Sequence, residues 1–288
     1  MGSRMAGRLL AAGYDLTVFN RRRRDPIRTL QQGGAKAAET PGEVARNADV
    51  ILVSVADDAA VESVMTGADG ALYEARAGAI LINLSTVSPA LSRRLSETAL
   101  LMGVAVLDAP VSGSTPQAEQ GELVVFVGGE QAAYERCRAI LAVLAKESFY
   151  IGPAGSGSTM KLCVNALLGL GAQAVAEAVA LGMKAGLERG RFLDVLGATV
   201  VLSPSQRSKL ENVRKDTYPP TFPLRLMLKD FGLILDSALG LSVPMPMTAA
   251  AHQVSSAEFA RQSADGRDED FSSVVRAMAE SAQVPKVV

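Results

Sequence analysis

The feature that most constrains this chain is a change of rhythm near residue 151. Before it, short apolar runs alternate with stretches of helical composition; after it, the alternation stops. "YDLTVFN", "ADVILVSV", "GAILINLST", "GVAVLDAPVSG" and "ELVVFVGG" are short, rich in β-branched or aliphatic residues and bounded by turn residues, which predicts strands. The Ala-, Leu-, Glu- and Arg-rich stretches between them predict helices. Runs that are apolar throughout predict strands covered on both faces, hence a mostly parallel, doubly wound sheet with its ligand beyond the strand carboxyl ends.

From "TMKLCVNALLGLGAQAVAEAVALGMKAGLERG" onward the pattern is helical, with breaks marked by Pro204, Pro219, Pro220, Pro223, Pro244 and Pro246. Lys161, Asn165, Gln173 and Glu177 interrupt the long segment before about 18 clean apolar residues accumulate, so it reads as a buried helix rather than a membrane span. The predicted organisation is an α/β domain over residues 1–152 and an all-helical domain over 153–288, joined by that long helix.

Charge and cysteine usage narrow the partners. With 29 Lys and Arg against 30 Asp and Glu, the chain presents no global electrostatic case for nucleic acid or an anionic membrane surface. Small molecules and further copies of itself are the expected partners. Cys137 and Cys163 are too few for a disulfide framework and fit a reducing cytoplasm. The single histidine, His252, and two distant cysteines form neither a metal-ligand cluster nor a serine–histidine triad, so another residue type must move protons.

Four stretches carry candidate chemistry. In "NRRRRDP" the strand ending at Asn20 is followed by Arg21 and Arg22, where a dinucleotide-binding unit meets the adenosine ribose. Asn20 lacks the charge that would repel a 2′-phosphate, and the two guanidinium groups can grip one, so NADP is favoured, with NAD possible. "DAPVSGS" presents Ser112, Gly113 and Ser114 at a strand end, a turn whose hydroxyls and N–H groups suit a small carboxylate. In "GSGSTMKLCVN", Ser156 or Ser158 is positioned to cap the long helix, and i, i+4 spacing puts Lys161 and Asn165 on one face. Lys229 and Asp230 sit inside another apolar helix, "FPLRLMLKDFGLILDSA", as an ion pair or a functional group.

Together, "NR" after a strand, "NLSTVSP", "DAPVSGS", "GELVVFVGG", "GSGSTMKLCVN" and "LMLKDFGL" resemble the β-hydroxyacid dehydrogenases. That family includes 3-hydroxyisobutyrate dehydrogenase, tartronate semialdehyde reductase and glyoxylate/succinic semialdehyde reductases, and the resemblance covers nearly the whole chain. It implies a Rossmann-type N-terminal domain, a long interdomain helix, a helical domain that helps form dimers or tetramers, and an active site between domains. It further implies Lys161 as the catalytic lysine, Asn165 as its companion, Ser112 with Gly113 as the grip on the substrate carboxylate, and Lys229 near the cofactor. Thr86 and the backbone of Val55 and Ala56 would border the nicotinamide nucleotide. The chain departs from the family at Val55-Ala56, where Leu-Pro is usual, and at Ser114, where a second glycine is frequent. The alternatives are an imine reductase-like enzyme and a non-catalytic dehydrogenase-like binding protein.

A dinucleotide fingerprint, G-x-G-x-x-G, follows a first strand and leads into the first helix. "MGSRMAGRLL" supplies only its last glycine, Gly2. The expectation is therefore a sheet lacking its first strand, and a Met1 internal to a longer reading frame.

Overall fold

A computed structural model describes residues 1–21 and 24–284. They form two compact units, the first spanning Met1–Leu162 and the second running from Cys163 onward.

Among the described residues, the eight strands lie in the first unit: β1 (Thr17–Val18), β2 (Lys36–Ala37), β3 (Val50–Val53), β4 (Ile80–Asn83), β5 (Ala105–Asp108), β6 (Val111–Ser112), β7 (Leu123–Gly128) and β8 (Ala145–Gly152). Its helices are α1 (Gly2–Ala11), α2 (Arg24–Gln32), α3 (Pro41–Ala45), α4 (Asp58–Thr66), α5 (Ala71–Glu74), α6 (Pro89–Leu100), α7 (Thr115–Gln120) and α8 (Gln131–Leu144), followed by the start of α9 (Ser156–Lys184). Strands β3, β4 and β5 are parallel and in step, so that Val53, Asn83 and Asp108 end abreast. One face of this ladder, through Ile80, Ile82 and Leu107, packs on Met5 and Leu9 of α1 and Tyr134, Cys137 and Leu141 of α8. The other, through Ile51, Val53, Leu81 and Val106, packs on Val61 and Met65 of α4 and Leu91 and Leu95 of α6. Cover on both faces is why these strands read as unbroken apolar runs.

Beyond β5 the sheet reverses. β7 is antiparallel to β5 and β6, and β8 runs parallel to β7 on its far side. The link between β6 and β7 contains only α7, shorter than the dozen or more residues a parallel crossover needs, so the chain must return antiparallel. At the opposite end, β1 and β2 form a parallel pair that shares no ladder with the sheet beginning at β3. In the order 3-2-1-4-5-6 the first strand of a dinucleotide-binding fold stands between those two parts.

The second unit contains the rest of α9 and α10 (Arg189–Ala198), α11 (Pro204–Lys215), α12 (Leu224–Gly240), α13 (Pro246–Ala264) and α14 (Val274–Ser281). Pro204 and Pro246 open helices, where a missing N–H costs nothing, and Ser203 and Gln206 close a reciprocal cap at the start of α11. α12 approaches α9 closely because Gly169 has no side chain; a Cβ there would overlap the Phe231 ring and come within 2.7 Å of Met227 Sδ. The expected buried helix is buried on one side only: Leu167 of α9 is 76% exposed and Leu181 74%. By length and composition alone α9 is long and apolar enough to cross a membrane, and 39% of its most apolar window is buried inside this structure. Both cysteines are free. Cys137 lies in the core of the first unit, where burial pushes its thiol up to about 11, and Cys163 is exposed on α9.

Candidate active site

The carboxyl ends of β3, β4 and β5 build the candidate site. Past β3, the Val55 N–H donates to Ser85 Oγ at 2.9 Å, and the Ser85 N–H donates to Asn83 Oδ1 at 3.1 Å, tying two neighbouring strand ends together. Val55 and Thr86 are half-buried and Ala56 is exposed. Asn83 is buried, and its Nδ2 has no hydrogen-bond partner among the described residues. A buried amide donor left open beside half-buried groups at a row of strand ends is what a ligand in this position requires. Sequence reasoning stopped at Thr86 and missed Asn83, although both stand in "NLST".

Past β5 the chain enters the turn that carries Ser112, Gly113 and Ser114. Ser112 pairs with Val124 of β7 and is half-buried. Gly113 has φ +129°, and a Cβ there would lie 2.8 Å from Leu123 Cδ2, so only glycine fits. Ser114 donates from both its N–H (3.0 Å) and its hydroxyl (2.7 Å) to Gln117 Oε1, which commits that hydroxyl to the start of α7. The S-x-x-Q spacing was a visible sign of this capping role. Ser112 Oγ makes no hydrogen bond among the described residues, so it is the hydroxyl this turn offers to a ligand.

The start of α9 is capped from a distance. Neither Ser156 nor Ser158 provides the expected cap; Ser158 Oγ instead lies 2.8 Å from Ser92 Oγ. Asp108, at the end of β5, accepts from the Gly155 N–H (2.8 Å) and the Ser158 N–H (2.7 Å). One turn further along, Lys161 is 8% exposed, and Asn165 on the same helix face is 1% exposed. Asn165 Nδ2 donates to Asp230 Oδ2 at 2.6 Å, and Lys229 Nζ stands 2.7 Å from Asp230 Oδ1, so the charge pair inside α12 is both an ion pair and an anchor for Asn165. Asn165 Oδ1 has no partner among the described residues.

At the far end, Asn20 and Arg21 follow β1 and are exposed; Arg22 lies outside the described residues. Gly2, at the start of α1, faces Ser54, and a Cβ there would meet it at 3.5 Å, an ordinary contact, so packing within the chain does not itself demand glycine at that place. The residues present thus fit the nicotinamide end of a dinucleotide, through Val55, Asn83 and Thr86. For the pyrophosphate, the described residues offer Gly2 and the N-terminus of α1.

Residues 1–152 match the family model described as the NAD binding domain of 6-phosphogluconate dehydrogenase, and residues 155–278 match that of the NAD-binding domain of NADP-dependent 3-hydroxyisobutyrate dehydrogenase. The chain belongs to the β-hydroxyacid dehydrogenases. Among its relatives in this family, 2-(hydroxymethyl)glutarate dehydrogenase of Eubacterium barkeri is 34% identical over 96% of this chain and 91% of its own length. Glyoxylate/succinic semialdehyde reductase 1 of Arabidopsis thaliana is likewise 34% identical, over 96% and 95%. The crystal structure of 3-hydroxyisobutyrate dehydrogenase from Salmonella typhimurium superposes with a TM-score of 0.85 at 29% identity, covering 96% of this chain and 95% of that one. As a β-hydroxyacid dehydrogenase, the protein is an NAD(P)-dependent oxidoreductase acting on a CH–OH group.

Proposed function

We propose that this β-hydroxyacid dehydrogenase uses NADP(H) to interconvert a small β-hydroxyacid or related hydroxyacid and its aldehyde or keto acid, with Lys161 as the general acid and base. The observation that carries this reading is a buried lysine in an apolar helix whose start is fastened to the strand leading into Ser112 and Gly113. When bound, the nicotinamide provides the hydride donor or acceptor. In reduction, protonated Lys161 Nζ gives its proton to the developing alkoxide oxygen; in oxidation, the neutral amine takes the hydroxyl proton. Ser112 Oγ and the turn at Gly113 hold the substrate carboxylate, which orients the reacting carbon. Asn165, fixed by Asp230, orients the lysine.

The test is turnover of NADPH with a panel of small carboxylate-bearing aldehydes. Lys161→Ala should lower kcat by about 100-fold or more while largely sparing NADPH affinity. Near-normal turnover in that variant would remove Lys161 from the mechanism.

The preference for NADP rests on Arg21, exposed directly after β1, on Arg22 beside it in sequence, and on the uncharged Asn20. Replacing both arginines with alanine should weaken NADP binding by about 1.5–3 kcal/mol per lost charged hydrogen bond and leave NAD binding nearly unchanged. Equal affinity of the unsubstituted protein for the two cofactors, measured by calorimetry, would refute the assignment. A homodimer or homotetramer is supported by the apolar residues left exposed on the helical unit, among them Leu181, Leu239, Leu241 and Met247.

A further inference from the structure

We infer that Asp108 is a positioning residue for the reaction: its carboxylate fixes the register of α9 on the sheet and thereby holds Lys161 relative to Ser112 and Gly113. This rests on the reading of Lys161 as the proton carrier.

The first N–H groups of a helix have no intrahelical partner, and a local serine or aspartate ordinarily satisfies them. The residue in the capping position is Gly155, which has no side chain to offer, and the acceptor comes from a strand 47 and 50 residues earlier in the chain. The carboxylate takes one N–H on each oxygen and is itself buried, and burial raises its pKa in spite of those bonds. Burying a carboxylate is costly where a surface serine would serve. What the buried group adds is a fixed distance between helix and strand.

The surroundings leave that distance no slack. A Cβ on Gly157 would collide with the Asp108 and Phe126 carbonyl oxygens and lie 2.9 Å from Gly128 N. One on Gly128 would lie 2.6 Å from Asp108 Oδ1 and 2.8 Å from Gly157 N. The backbones of β5, β7 and α9 therefore meet directly. From the Ser158 N–H that Asp108 holds, Lys161 is three residues on, about 4.5 Å of helix rise. In the other direction Ser112 is four residues past Asp108, pinned to β7. One carboxylate thus sits at the root of both arms of the proposed chemistry, and a shift of about 1 Å between such arms costs on the order of 100-fold in rate.

Asp108→Asn preserves the shape but turns an amide NH₂ toward one of the two N–H donors. Measured well below its melting temperature, it should lower kcat by about 10- to 100-fold and leave NADPH affinity within about 2-fold. In a Lys161→Ala background the same change should alter kcat by less than about 2-fold, because the residue acts through the lysine. An equal loss in both backgrounds, or a lowered Tm with unchanged kcat, overturns the proposal. Near-normal turnover of Lys161→Ala alone overturns the reading beneath it and is seen before the cycle is closed. If Asp108→Asn does not fold, Asp108→Glu keeps the charge and both acceptor oxygens but lengthens by one methylene the arm that sets the distance between strand and helix. It should lower kcat by about 3-fold with Lys161 present and not without it; unchanged kcat with Lys161 present overturns the proposal.

Discussion

Asp108 in the sheet unit and Asp270 in the helical unit are buried alike, at 2% and 0% exposure, and are driven in opposite directions. Asp108 is held by backbone amides and meets no cation in its hydrogen bonds, so burial prevails and its pKa is raised. Burial also pushes Asp270 upward, but Lys209 Nζ at 2.8 Å reverses the sign, and Thr221, Phe222 and Ser272 add further donors, leaving its carboxyl below the ordinary range. Equal burial thus serves two ends. At Asp270 a full complement of partners locks a connection between helices, whereas at Asp108 the carboxylate bears the cost of desolvation to register one helix against a strand.

Removing the charge at each site breaks the comparison open. Asp270→Asn leaves Lys209, whose side chain is only 17% exposed, without its counter-ion. It should cost about 3–5 kcal/mol at neutral pH, read from urea unfolding. A loss below about 1 kcal/mol would mean that Asp270 behaves like an exposed pair. The pH dependence is the smaller effect and sharpens the contrast, because the two signs differ. A depressed native pKa at Asp270 gives stabilisation that is present above the unfolded pKa and lost as pH falls through the native one. A raised native pKa at Asp108 works the other way: the native state binds the proton more tightly, so stability declines as pH rises from the unfolded pKa to the native one. The destabilisation by Asp270→Asn should therefore shrink in acid, and that by Asp108→Asn should shrink toward neutrality. Parallel profiles for the two variants would show that one shift has been given the wrong sign.

The same contrast explains what could be read from the residues alone. β3, β4, β5 and β7 were legible because a strand covered on both faces must be apolar throughout. β2, only Lys36–Ala37, has no run to read, and β8 alternates in exposure along "AKESFYIG". Lys161 and Asn165 stood out because polar groups in an apolar helix need a reason. Asp108 did not, since its partners are backbone N–H groups, which every residue but proline possesses, and they lie far along the chain. Asn83 escaped for a related reason: an open amide donor is defined by what surrounds it, and composition does not encode that.

The two thiols have a practical consequence. Cys137 is sealed in the core with its thiolate strongly disfavoured, whereas Cys163 is open to solvent and sits about 200° around α9 from Lys161, two residues on. A maleimide dye added to the native protein thus has a single address, on the helix that carries the proposed proton donor but on its other side. The enzyme comes with its own attachment point for an optical ruler, and the behaviour of that helix during turnover becomes observable without altering one residue.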